Sequence, residues 1–250
     1  MSRFPQNQPG PQGQWGGDAY AVPVSEASAE TRASFIKKTY LHVAGSLLLL
    51  AAIDALLLTV VPEATRIGII QRLGGLTWLL VIGLFMAVSW VASSWARNGA
   101  NVGLQYAGLA LYTGAFALLL MLPLTIAQVM FPAGNIIGTA VLVTALITAA
   151  LTAFVFITGA DFSWLGGILT VCFIGVFALI AASLLFGFNL GTVFLVGMVV
   201  LMCATILYDT SNIMHHYLPG QHVAAALALF GSIATLFWYV LNLLMSLQRE

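Results

Sequence analysis

The chain has 250 residues, 61% of them hydrophobic and only 6% charged, with a formal net charge of zero. Soluble domains carry about 25% charged residues, and so few charges cannot dress a soluble surface. The composition therefore excludes a soluble domain and predicts a polytopic membrane protein, whose expected partner is the lipid bilayer and not nucleic acid.

Residues 1–31 precede any apolar run and alternate Pro5, Pro9, Pro11 and Pro23 with Gly and Gln. The absence of an apolar segment near the start argues against a secretory signal peptide. The composition predicts a disordered tail, with the membrane domain spanning 32–250. Arg32, Lys37 and Lys38 abut the first apolar run and favour a cytoplasmic N-terminus.

Seven apolar runs follow, at about 40–61, 76–96, 103–122, 136–157, 164–186, 190–213 and 223–247. Each approaches the ~20 residues that a helix needs to cross hydrocarbon. They are continuously apolar without period-two alternation, which predicts helices and not a barrel. Pro62, Pro123, Pro132 and Pro219 are placed at or beyond run ends, where proline costs least. The link Gly187-Phe188-Asn189 is so short that spans five and six must form an antiparallel hairpin. With seven spans, Arg3, Arg32, Lys37, Lys38 and Arg97 fall on the N-terminal side, against Arg66, Arg72 and Arg249 opposite. Six crossings with a re-entrant last segment would instead return the C-terminus to the cytoplasm.

Candidate residues come from polar groups inside these runs. The first span carries His42, Ser46 and Asp54 on roughly one face. Asp54 is read as a boundary residue, hydrated or paired with Arg66 or Arg72; the alternative is an outer proton or cation site. In the fourth span Gly138, Ala145, Ala149 and Ala153 form a small-residue stripe, read as a helix-packing face. Asp209, at the end of the sixth span, is the second intramembrane acid. A charge at that depth costs several kcal/mol unless paired or hydrated, which makes it a functional candidate.

The seventh span carries Ser232, Thr235, Tyr239, Asn242 and Ser246 at spacings of three, four, three and four. That continuous polar face cannot meet lipid, so the last helix belongs at the centre of the bundle. Whether the stripe is interhelical glue or the wall of a polar pathway stays open at this stage. Adjacent His215 and His216 diverge by about 100° on a helix and do not chelate one ion. Cys172 and Cys203 each lie in an apolar run, so neither a disulfide nor a thiolate metal site is expected. No HExxH, GxSxG or phosphate loop occurs, and Asp54 and Asp209 belong to opposite faces. Neither an enzyme nor a bound cofactor is expected.

Four stretches then carry a family resemblance: Gln105-Tyr-Ala-Gly-Leu-Ala-Leu-Tyr112, Met121-Leu-Pro-Leu124, Thr158-Gly-Ala-Asp-Phe-Ser-Trp-Leu165 and Ile206-Leu-Tyr-Asp-Thr-Ser-Asn-Ile213. In this order the region from Arg32 onward resembles the Bax inhibitor-1 family, in its bacterial branch. The resemblance implies an all-α bundle of seven transmembrane helices with the last one central, in a bacterial inner membrane. It also implies a pH-sensitive calcium leak, in which the Asp matched by Asp209 pairs with a second Asp on the last helix and is latched by an Arg matched by Arg97. Other members are described as anti-apoptotic or as modulators of a membrane protease.

The chain departs from that pattern. Where relatives read AxxLYLDxxNLF, it places Ser232 for the second Asp and Thr235 for the Asn, and Phe116 stands where many bacterial members carry Glu. The carboxylate pair is incomplete. A cation leak gated at Asp209 thus leads, against a non-conducting modulator of a protease or stress response and, last, a hydrolase. Asp209 is expected near the N-terminal side, in contact with Arg97 directly or through one water.

Overall fold

The computed structural model describes residues 22–98, 101–132 and 134–249. A 3₁₀ turn, Val24–Glu26, precedes eight helices: α1 Ala29–Val60, α2 Glu63–Arg72, α3 Gly75–Ala96, α4 Val102–Met130, α5 Ile136–Thr158, α6 Leu165–Phe186, α7 Gly191–His215 and α8 His222–Leu247. All but α2 are long and apolar enough to span a membrane. The chain is an all-helical, multi-pass membrane protein.

Two helices outrun the spans read from the sequence. α1 begins at Ala29, eleven residues before the first apolar run, because Ser28 caps it by accepting from the Thr31 N–H at 3.3 Å. At 1.5 Å per residue its 32 residues reach about 48 Å, so the first turns project beyond the hydrocarbon. The tail assigned to residues 1–31 is therefore ordered from residue 22; residues 1–21 lie outside the described residues. α4 likewise continues through Pro123 to Met130, where a run end was expected. The segment past Pro123 stays helical because it is pinned. Thr125 donates to the Met121 carbonyl at 2.7 Å, and buried Arg66 on α2 donates to Thr125 Oγ1 at 3.0 Å and Gln128 Oε1 at 3.3 Å.

α8 is the hub, packed against α1, α3, α4, α5 and α7, and most of its residues are buried. α6 and α7 pack as the hairpin that the short link requires, with Gly187 closing α6 at φ +74. The small-residue stripe of α5 does not face the bundle: Ala145, Ala149 and Ala153 are exposed. Its buried side instead runs through Ala140, Thr144 and Val155. α4 meets α3 at Gly108, where a Cβ would stand 2.5 Å from the Ala92 carbonyl oxygen; only glycine permits that backbone approach.

A buried carboxylate behind an aromatic septum

Asp209 lies six residues before the end of α7, about 9 Å inside the helix. It is 8% exposed. Ser232 of α8 donates to its Oδ2 at 2.5 Å and also reaches the Ala228 carbonyl at 3.3 Å. Ser232, which the resemblance aligns with a second acid, thus touches Asp209.

A direct ion pair between Arg97 and Asp209 is absent. Among the described residues no guanidinium lies within 4.0 Å of Asp209. Arg97 follows the last turn of α3, its side chain exposed, and a hydrated guanidinium has little reason to reach into the bundle. The two groups do share a neighbourhood. Tyr217, in the α7–α8 link, has its hydroxyl pushed up to about 12 by burial, with Asp209 adding to the shift and Arg97 opposing it.

Thr235, Tyr239, Asn242 and Ser246 all line one cavity of about 680 Å³. Its other walls include Trp78 and Phe85 of α3, Phe116 of α4, Leu184 of α6 and Phe194 of α7, with Asn189, Gly191 and Arg249 towards one end. That end is opposite the N-terminal side. From Ser246 to Thr235 the wall runs about 16 Å. Thr235 and Asn242 bond to carbonyls of their own helix, at 2.7 Å each, and within the stripe Ser246 reaches another helix at Thr192, 2.6 Å away. The stripe is a cavity wall first and interhelical glue second.

Two rings of this cavity's wall, Phe85 and Phe116, belong to a four-ring cluster with Tyr112 and Phe230. Phe85, Tyr112, Phe116 and Phe230 pack with centroids 5.0–6.0 Å apart, mostly edge to face. Tyr112 sits against Gly231, where a Cβ would lie 2.6 Å from its hydroxyl, one residue from Ser232. Phe116 is thus a member of the septum. The sequence marked it as a departure but not as a barrier; ring spacing across three helices is invisible in one dimension.

Asp54 mirrors Asp209 in depth and not in company. It is 6% exposed, and its Oδ1 is buried without a hydrogen-bond partner. Neither expected partner reaches it. Arg66 is committed to Val61, Thr125 and Gln128, and Arg72 is exposed. His42 turns away to Tyr106, 2.9 Å from its hydroxyl, and to the His222 ring.

The threonine hydroxyls of the helices fall into two groups. Thr39, Thr113, Thr125, Thr170, Thr205 and Thr235 donate to the carbonyl four residues back. By contrast the hydroxyls of Thr144 and Thr148 are buried without a partner, and those of Tyr40, Thr152 and Thr210 lie together. The four-residue spacing of Thr144, Thr148 and Thr152 on α5 was a readable signal. On the surface, Asp161 in the α5–α6 loop accepts from the Ser163 N–H at 2.8 Å and lies 3.2 Å from His216 Nε2. The Ser163 N–H, with a smaller effect of His216, holds its carboxyl down at about 2. Ser211 joins the same cluster by accepting from the Phe162 N–H at 2.8 Å. Among the described residues no three His, Cys, Asp or Glu side chains group as metal ligands.

Residues 32–249 match the family described as "Inhibitor of apoptosis-promoting Bax1". Protein LIFEGUARD 3 of Arabidopsis thaliana is 31% identical, over 91% of this chain and 90% of its own length. Bax inhibitor 1 of Schizosaccharomyces pombe is 29% identical, over 92% and 82%. Protein lifeguard 4 of Mus musculus is 27% identical, over 92% of each. No solved structure matches the chain. A match over the whole helical bundle, Asp209 and its Ser232 partner included, places this chain in the Bax inhibitor family.

Proposed function

We propose that the chain is a cation leak, with calcium the ion to test, in which Asp209 is the carboxylate beyond a closed constriction. One observation carries this reading: the polar face of α8 runs unbroken from Ser246 in the cavity wall to Ser232, whose hydroxyl holds Asp209. A carboxylate at membrane depth is costly and marks an ion or proton path, and an apolar constriction gates by excluding water. The ring cluster of Phe85, Tyr112, Phe116 and Phe230 is the closed gate on this reading. Ser232 fixes Asp209 by hydrogen bonding in place of a second acid. Arg97, which shares Tyr217 as a neighbour with Asp209, is the latch on this reading. Asp54 is a secondary site at the opposite face. The basic residues Arg32, Lys37 and Lys38 beside α1 support a cytoplasmic N-terminus, and the bacterial inner membrane is the proposed location.

The test is calcium flux in proteoliposomes. Wild-type protein should conduct above empty vesicles, and Asp209→Asn should lower the flux. Equal flux in the two would favour the second reading, a non-conducting protein that modulates a membrane protease or a stress or cell-death response. Phe116 favours that alternative, since it puts a buried ring where many bacterial members carry an acid. The names of the relatives also point to cell death.

A further inference from the structure

The residues just ahead of α1 are built into the Asp209 end of the bundle. Val24 is fully buried, in the same apolar cluster as Phe35 and Ile213. Its N–H donates to the Tyr217 carbonyl at 2.9 Å, and the Ser25 hydroxyl donates to the His215 carbonyl at 2.9 Å. The last carbonyls of a helix need partners from outside it, and here the N-terminal segment supplies them for α7 and its link. Arg32 locks the turn from behind, donating to the Val24 carbonyl at 3.3 Å and the Ser25 carbonyl at 2.5 Å. Phe35 then lies against the Tyr217 ring, with centroids 6.5 Å apart.

We propose that residues 23–27 form a releasable clasp that closes the Asp209 end of the bundle by holding Tyr217 and the C-terminus of α7 in place. The segment is attached to the α7 end by one apolar anchor and two hydrogen bonds, and to α1 by the two from Arg32. Local openings of so small a unit cost far less than unfolding the bundle. Release would free Tyr217, whose ring packs beside Ala92, Ala96 and Val223 of the adjoining cluster, and would admit water to Asp209 from the N-terminal side. On the proposed reading the ring cluster is the barrier on the opposite side, so different elements would close the carboxylate from the two directions. The proposal concerns regulation and rests on reading Asp209 as the carboxylate that a cation passes.

The experiment reads access and flux separately. In full-length protein carrying Cys172→Ala and Cys203→Ala, Thr210→Cys places a thiol next to Asp209 in the chain, at a fully buried position. The protein is held in nanodiscs and labelled with a charged, membrane-impermeant maleimide. Val24→Asp should speed labelling about tenfold or more over Val24→Ile, because access follows the population of the open state. Arg32→Gln, which removes two clasp bonds while keeping Val24, carries the same test if Val24→Asp does not fold. Unchanged labelling in the folded variants would overturn the clasp. Faster labelling, with calcium flux no higher than in empty vesicles for any variant, would uphold the clasp and reject the cation reading.

Discussion

Asp54 and Asp209 differ less in position than in company. Each lies six residues before the end of its helix, and each is nearly buried, at 6% and 8% exposure. Asp209 faces α8, which offers Ser232; Asp54 ends in a pocket that leaves Oδ1 alone. Depth in the membrane does not by itself mark a working carboxylate. On the proposed reading a partner from the central helix does, because it fixes the geometry that a passing ion would meet.

The comparison breaks or sharpens most directly on conduction. Asp209→Asn should lower calcium flux by about tenfold or more, corresponding to about 1.4 kcal/mol of lost interaction, while Asp54→Asn should change it less than about twofold. Similar losses in both would make the two acids one pathway. Folding stability supplies the next contrast. Asp54→Leu removes a buried polar atom without a partner and should stabilise the protein by about 1–3 kcal/mol. Asp209→Leu leaves Ser232 only its longer Ala228 bond and should stabilise less, as read by reversible unfolding in mixed micelles.

A smaller effect is expected from Ser232→Ala, which would put Asp209 in the condition of Asp54. The cost should be near the ~0.6 kcal/mol average for hydrogen bonds between membrane helices, with flux lowered less than by Asp209→Asn. A cost several times larger would mean that Ser232 holds Asp209 more firmly than its geometry suggests. Smallest of all is the exposed control, Asp161. Its carboxyl is held down at about 2, first by the Ser163 N–H. Its contribution is therefore complete above the ordinary carboxylate range near 4 and is lost as pH falls towards about 2. Asp161→Asn should remove that acid-side slope and leave stability at neutral pH nearly unchanged, since exposed pairs contribute little.

Much of this architecture was legible in the residues. Runs of about 20 apolar residues located the seven spanning helices, and the Ser232-to-Ser246 stripe put α8 at the centre. The faces of the other helices were harder to read. Lipid is as apolar as a protein core, so hydrophobicity does not say which side of α5 is buried. The alanines that suggested packing are exposed, while Thr144 faces inward. Pro123 was read as a stop because the local rule is sound, and it was overridden by the contacts of Arg66 with Thr125 and Gln128. Arg97 matched a motif, but a motif does not record that the side chain follows the final turn and stays in solvent. Val24 had no signal beyond being an isolated valine after proline.

The central place of α8 also bears on how the protein is made. A chain leaves the ribosome from its N-terminal end, and membrane helices insert before they associate. α8 is the last of the described helices in chain order, yet it is the one that α1, α3, α4, α5 and α7 share, and α1 with α7 or α4 with α5 have few contacts of their own. The earlier helices must therefore wait in the bilayer without their common core. Asp209 waits with them, because Ser232 is synthesised 23 residues later. During that interval α7 carries its carboxylate in the membrane without the partner that Ser232 later supplies.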